Sequence, residues 1–139
     1  MGNVIRDRKG VTVSRIVETF ERRRCAGRTA LMPYLTMGYP ARESALSLVP
    51  AIVAAGADVI ELGIPFSDPL ADGATIQATA QQALANGMTL SLCLEQAAAL
   101  RTRGIEAPFV MMGYYNPIFQ MGTTCFADHA AGAGVDGVI

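Results

Sequence analysis

The stretch ADVIELGIPFSDPLADGATIQ, residues 57–77, decides the fold of this chain. It begins with a short apolar run at residues 59–64 that is rich in β-branched residues and contains one carboxylate, Glu61. Such a run, bounded by turn signals, is typical of a strand buried on both faces. Alternation along the strand predicts that Glu61 and Gly63 share one face.

A stiff acidic loop follows this strand and leads into a predicted helix at residues 75–86. The loop, residues 65–73, carries two carboxylates, Asp68 and Asp72. A buried glutamate is costly unless it is paired or lies at a hydrated cleft, so Glu61 marks a site. We expect Glu61 in the C-terminal half of its strand, because α/β folds place their chemistry at that end.

Working outward, the same βα rhythm extends along the chain. The first helix is predicted to begin at the N-cap Ser14 and to stop at Gly27. Residues 1–13 are polar and predicted to be a loose lead-in. The pattern predicts helices at residues 14–24, 44–55, 75–86, 90–103 and 126–131, and strands at residues 30–36, 59–64, 108–113 and 135–139.

Alternating helices and strands favour an α/β fold with parallel strands and right-handed crossovers. Both a doubly wound sheet and a TIM (β/α)8 barrel fit this rhythm. A barrel needs about 250 residues, whereas this chain has 139 and its last predicted strand stops in mid-run. We therefore expect residues 1–139 to form one partial TIM-barrel domain, the first half (about four βα units) of the barrel, with the C-terminal half absent.

Composition excludes several classes of protein. Hydrophobic residues make up 51% of the chain and charged residues 17%, which predicts a folded core rather than disorder. The net charge is −1, with basic residues concentrated before position 30. That bias suggests either an anionic partner or a solvated first helix, and nothing resembles a nucleic-acid surface. No segment is typical of a signal peptide or a membrane span.

The three cysteines are widely spaced and not in CxxC form, so we expect reduced, mostly buried thiols in a cytoplasmic protein. The chain has one histidine, His129, and a multi-histidine metal site therefore cannot be built. We expect no bound metal.

Four motifs carry a specific resemblance. IELGIPFSDPLADGATIQ (60–77) and PYLTMGYP (33–40) closely resemble the tryptophan synthase α-subunit family. MGYYNPIFQMG (112–122) and AGAGVDGVI (131–139) fit the same family in the same order. The resemblance covers nearly all of residues 14–139.

The resemblance implies a TIM barrel of tryptophan biosynthesis. It implies a carbon–carbon lyase that cleaves indole-3-glycerol phosphate to indole and glyceraldehyde 3-phosphate by a retro-aldol reaction, without cofactor or metal. It also implies a β-subunit partner in an α2β2 heterotetramer, and the pyridoxal phosphate belongs to that partner.

The same resemblance assigns roles to the two acids. Glu61 matches the catalytic glutamate, which protonates indole C3 and deprotonates the hydroxyl that becomes the aldehyde. Asp72 matches the acid that accepts the indole N–H and stabilises the developing positive charge. From the residues alone, Glu61 could instead be a structural carboxylate satisfied by amides, Asp72 could cap the following helix, and Asp68 could be a turn residue.

Other positions are assigned through the resemblance to the substrate pocket or to the partner. The family's indole pocket is lined at positions that match Tyr34, Thr36, Gly63 and Tyr114, where Gly63 would let the ring approach. The family's contact with the β subunit matches Asp68, Pro69, Asn116 and Pro117.

Two departures and one missing part qualify the resemblance. Ala74 replaces a proline usual in the family, which should loosen the loop holding Asp72, and Tyr39 stands where many members carry an aspartate. The family's phosphate-binding loops lie after residue 139, so the chain alone is expected to be inactive. The alternatives are a non-catalytic partial barrel that docks on and modulates the β subunit, or a free-standing indole-releasing lyase.

Overall fold

The computed structural model describes residues 14–139. The predicted lead-in at residues 1–13 lies outside the described residues. The elements are α1 (Arg15–Cys25), β1 (Tyr34–Thr36), α2 (Ala45–Ala54), β2 (Ile60–Gly63), α3 (Ala74–Ala85), α4 (Leu90–Thr102), β3 (Phe109–Met112), α5 (Tyr115–Met121), α6 (Thr123–Gly132) and β4 (Gly137–Val138). None of these helices is long and apolar enough to span a bilayer.

The four strands form one parallel sheet in the order β1-β2-β3-β4. Alternate strand residues pack with the helices in a single core, to which the strands contribute Leu35, Ile60, Leu62, Ile64, Phe109 and Met111. A doubly wound sheet reverses its strand order, whereas this order runs in sequence with the core on one face. The topology is therefore that of the first half of a (β/α) barrel, as predicted.

The helix ends follow from local chemistry. The Ser14 side chain accepts a hydrogen bond from the Ile16 amide at 3.2 Å, and Gly27 takes a positive φ of 63° just after α1, as predicted. Pro50 lies inside α2 and cannot donate to the carbonyl of Leu46, which instead accepts a bond from Arg103 at 2.8 Å. The proline is tolerated because α2 gains a partner for that carbonyl.

Four elements differ from the prediction. No helix was predicted between the third strand and residue 126, but Tyr115–Met121 forms α5, and Pro117 falls in its first turn, where no amide donor is needed. Strand β1 begins only at Tyr34, because the Leu31 amide bonds the Asp58 side chain at 2.9 Å. β4 is two residues long, and α6 begins earlier than predicted, at Thr123.

Two aspartates fasten the N-terminal end of the sheet. Asp58 precedes β2, and its carboxylate accepts bonds from the Leu31 amide and from Arg23 of α1 at 2.5 Å. Asp136 precedes β4, and its carboxylate accepts the Phe109 amide at 2.9 Å together with two arginines. Those arginines, each at 2.7 Å, are Arg15 and Arg101.

The cysteines depart from expectation. All three are free, but only Cys93 is buried, while Cys25 and Cys125 are exposed. Burial raises the pKa of Cys93 to about 12, so that thiol stays protonated at neutral pH. His129 is exposed on α6, with Nδ1 2.7 Å from the Cys125 carbonyl oxygen, and within residues 14–139 no three potential ligands cluster for a metal.

Candidate functional site

The acidic loop between β2 and α3 is held by contacts to its backbone, and within residues 14–139 none of them uses the Asp72 carboxylate. The Gln77 side chain donates to the carbonyls of Asp72 at 2.9 Å and Pro69 at 3.3 Å. The N-cap of α3 is Gly73, with no side-chain cap bond. Asp72 therefore does not cap the helix, and its carboxylate remains available for another use.

A tyrosine at the end of β3 anchors the same loop. The Ala71 amide donates to Tyr114 Oη at 2.8 Å, and the Tyr114 ring packs against Phe66 with centroids 5.1 Å apart. The contact joins residues 43 positions apart in sequence. The end of β3 thus fixes the loop that follows β2.

Tyr34 of β1 reaches over the strand beside it. It pairs in register with Glu61 of β2, so the two side chains are neighbours on one face of the sheet. A Cβ built on Gly63 would overlap the Tyr34 phenol, which therefore occupies the space that the missing side chain leaves. We predicted that this space would admit a ligand ring, and the structure fills it with Tyr34 instead.

A chain of hydroxyls orients Tyr34. Thr79 of α3 donates to the Ile76 carbonyl at 2.9 Å, and Thr36 lies 2.7 Å from Thr79 and 3.3 Å from the Tyr34 hydroxyl. Each hydroxyl has a single proton, so Thr36 donates to Thr79 and Tyr34 donates to Thr36. Tyr34 is thereby left with lone pairs on its other side.

The two predicted catalytic acids both act on Tyr34. Burial raises the pKa of Tyr34, the bond with Thr36 lowers it in part, and the negative charges of Asp72 and Glu61 raise it further. Glu61 is the register neighbour of Tyr34, and Asp72 lines a cavity together with Tyr34. The structure brings Glu61 and Asp72 to the same side of the sheet.

A small cavity of about 180 Å³ lies at the C-terminal edge of the strands. It is lined by Tyr34, Ile64, Ala71, Asp72, Met112, Gly113, Tyr114 and Ile139. Glu61 does not line it. We expected Glu61 in the C-terminal half of its strand, but it is the second residue of β2. The cavity is smaller than the roughly 300–1,000 Å³ of most ligand pockets.

Thr36 turns away from this cavity. Together with Tyr34 and Thr79 it lines a separate recess of about 260 Å³ between β1 and α3. A larger cavity of about 790 Å³ lies between α4 and α6 and contains none of the predicted site residues. The smaller cavity is therefore the candidate site, where Asp72 lies with Tyr34 and Tyr114, and Glu61 is the register neighbour of Tyr34.

The predicted partner residues follow neighbouring strands. Asp68 is exposed and accepts a bond from Ser67 at 2.5 Å, and Pro69 is half-buried beside it. Asn116 is exposed and Pro117 half-buried, both in the first turn of α5. Loops after adjacent parallel strands emerge at the same edge of a sheet, which is the edge that carries the small cavity.

Sequence reasoning missed the residues that hold this site together. Phe66, Gln77 and Thr79 were not singled out, since their contacts depend on which strands lie side by side. A repeated Gly-x-Asp before β2 and β4, at Gly56 and Gly134, was a visible signal for the two fastening aspartates.

Comparison with known proteins identifies the family. The profile described as tryptophan synthase alpha chain matches residues 20–139. The alpha chain of Roseiflexus sp. (strain RS-1) is 62% identical over 127 residues, which are 91% of this chain and 49% of that protein. The Chloroflexus aggregans alpha chain is 58% identical over 91% of this chain and 48% of its own length.

Solved structures agree with the sequence relatives. Tryptophan synthase subunit alpha from Legionella pneumophila superposes with a TM-score of 0.88 at 42% identity, covering 91% of this chain and 48% of that one. Tryptophan synthase from M. tuberculosis, in its aminoacrylate-bound form, gives 0.84 at 36% identity, covering 91% and 51%. The chain spans about half the length of the curated relatives it matches. It belongs to the tryptophan synthase alpha chain family.

Proposed function

We propose that this chain carries the two acids of a tryptophan synthase alpha-type lyase and that, within a complete barrel, it cleaves indole-3-glycerol phosphate to indole and glyceraldehyde 3-phosphate. The observation that carries the proposal is the convergence on Tyr34. Glu61 is its register neighbour on β2, and Asp72 lines the cavity with it. Two carboxylates that both neighbour one tyrosine can divide acid and base work.

In the proposed reaction Glu61 gives a proton to indole C3 and removes one from the side-chain hydroxyl. The oxygen's electron pair then forms the aldehyde, and the pair of the breaking C–C bond returns to the ring. One proton is given and one is taken, so Glu61 ends as it began. Asp72 accepts the indole N–H and stabilises the positive charge on the protonated ring.

The reaction draws on no cofactor or metal of this chain. We assign the pyridoxal phosphate to a β-subunit partner in an α2β2 assembly, and the partner surface to the edge with Asp68, Pro69, Asn116 and Pro117. Exposed apolar side chains near that edge support the assignment, since Leu70 is 94% and Phe119 is 69% exposed. The free cysteines favour the cytoplasm.

The experiment is a hybrid barrel, in which residues 1–139 replace the matching half of the Roseiflexus sp. alpha chain. The hybrid barrel is purified from a host that lacks its own tryptophan synthase, and indole release from indole-3-glycerol phosphate is measured. We expect turnover from the hybrid barrel and none from residues 1–139 alone or from the Roseiflexus half alone. A folded hybrid barrel that binds substrate without releasing indole would contradict the proposed lyase.

The same preparation separates the alternatives. A modulating module would raise the activity of a tryptophan synthase β chain without releasing indole itself. A free-standing lyase would turn over at full rate without the β chain and would not respond to it. We expect indole release that increases when the β chain of the Roseiflexus enzyme is added.

A further inference from the structure

We propose that Tyr114 is a positioning residue that acts through Asp72, by fixing the acidic loop at the amide of Ala71. The inference rests on the proposed function and adds to it a second duty for a tyrosine that the resemblance assigned only to the lining of the pocket. Tyr114 is half-buried and closes the cavity beside Asp72.

The contact between Tyr114 and the Ala71 amide lies next to the proposed catalytic acid Asp72. Tyr114 Oη accepts the Ala71 amide at 2.8 Å, and Ala71 directly precedes Asp72 in the chain. The Tyr114 ring is itself held, at 5.1 Å from the Phe66 ring, at the start of the same loop. One tyrosine at the end of β3 therefore holds both ends of the loop.

The remaining support comes from the opposite side. Gln77 donates to the Asp72 and Pro69 carbonyls, so the backbone around Asp72 is held by α3 on one side and by Tyr114 on the other. All of these bonds use backbone atoms of the loop. They restrict where the Asp72 carboxylate can lie without consuming its oxygens.

The Tyr114 hydroxyl also keeps its proton available for a hydrogen bond in the cavity. Because Tyr114 accepts from Ala71, its own proton is not used in that bond and remains available to an acceptor on the cavity side. Removing the hydroxyl while keeping the ring should therefore loosen Asp72 without emptying the apolar pocket.

The test compares Tyr114→Phe with Tyr115→Phe in the hybrid barrel. Tyr115 is the adjacent residue, is 61% exposed and makes no side-chain hydrogen bond to residues 14–139, so it is a matched control. We expect amide hydrogen exchange at Ala71 to rise about tenfold in Tyr114→Phe, as the loss of one hydrogen bond allows, and to stay unchanged in Tyr115→Phe.

Kinetics then tests whether the loosening reaches Asp72. We expect Tyr114→Phe to lower kcat about tenfold with KM changed less than about twofold, because the ring still lines the pocket. In an Asp72→Asn background, Tyr114→Phe should have almost no further effect on kcat, since the group it positions is gone.

Two outcomes would overturn the inference. Unchanged exchange at Ala71 would mean that the hydroxyl does not hold the loop. Equal effects of Tyr114→Phe on kcat with and without the Asp72 carboxylate would mean that it does not act through Asp72. An unsubstituted hybrid barrel that releases no indole would contradict the proposed function instead, while the exchange measurement would still decide whether Tyr114 holds the loop.

Discussion

The carboxylates that precede the strands and those within and after β2 are bonded in opposite ways. At the N-terminal end, Asp58 and Asp136 each accept a backbone amide and pair with arginine, and their side chains are 3% and 8% exposed. By contrast, neither Glu61 within β2 nor Asp72 in the loop after β2 forms an ion pair with any residue from 14 to 139. Both are nevertheless half-buried.

The difference distinguishes carboxylates that stabilise the fold from carboxylates that remain free to react. A buried carboxylate whose oxygens are all bonded recovers its cost of desolvation and fastens the elements that surround it. A half-buried carboxylate without a cation keeps its oxygens free to bind or to exchange a proton. In barrels the N-terminal face serves stability and the C-terminal face serves function. The fastened Asp58 and Asp136 and the unpaired Asp72 lie as that division predicts.

The largest expected effect is at Glu61. In the hybrid barrel, Glu61→Gln should lower kcat by on the order of 10³-fold or more, because the amide can neither give nor accept the proton. Binding of substrate and the urea midpoint should hardly change, since within the described chain Glu61 supports no ion pair. Steady-state kinetics and urea unfolding check both halves, and wild-type turnover would refute the role of Glu61.

At Asp136 the expected effect is on stability rather than on catalysis. Asp136→Asn should cost about 3 kcal/mol of stability, because it leaves Arg101 and the Phe109 amide without their full set of partners in a buried site. Urea unfolding measures the loss. Glu43→Gln is the control, because its carboxylate is 72% exposed and 3.9 Å from Arg42, and it should change stability by less than about 0.5 kcal/mol. Equal losses of stability in Asp136→Asn and Glu43→Gln would contradict the stabilising role of Asp136.

Asp72→Asn should lower activity less than Glu61→Gln does. We expect kcat to drop by roughly 10²-fold, because charge stabilisation is lost while the C3 proton donor remains. Stability should stay within about 0.5 kcal/mol of wild type, because the α3 cap at Gly73 does not use this side chain. A large loss of stability with little loss of rate would make Asp72 a structural acid.

The smallest effect is a pH dependence at Asp58. Burial tends to raise the pKa of Asp58, but the Leu31 amide and the Arg23 guanidinium outweigh it and hold the pKa below the ordinary value of 3.8. The unfolded chain therefore binds this proton first as the pH falls, so the contribution is complete above pH 3.8 and is lost as the pH drops through the folded-state pKa. Urea midpoints of wild type and Asp58→Asn should differ at pH 7, and the difference should shrink as the pH falls below 3.8. A constant difference would contradict the assignment.

Sequence patterns predicted the elements wherever periodicity was long. Helix α4 begins at Leu90 as predicted and ends one residue before the predicted end, since its apolar face repeats over thirteen residues. Helix α5 was missed, because seven residues with Pro117 near the start resemble a turn more than a helix. Short elements depend on their neighbours, which local patterns do not report.

The candidate site was predicted in part. Alternation was enough to put Glu61 and Gly63 on one face, and the motif was enough to single out Asp72. The contact of Tyr34 with Gly63, and that of Tyr114 with Ala71, could not be predicted, because each joins different strands and depends on their register.

The sequence by itself determined the βα rhythm and the family and singled out two candidate acids, because hydrophobic periodicity and a long motif are local properties of the chain. The tertiary structure alone decided which carboxylates are fastened and which are left free. Asp58 meets Arg23, and Asp136 meets Arg15, over separations of 35 and 121 residues. These ion pairs form only when the parallel strands have fixed their register and α1 packs against their N-terminal ends.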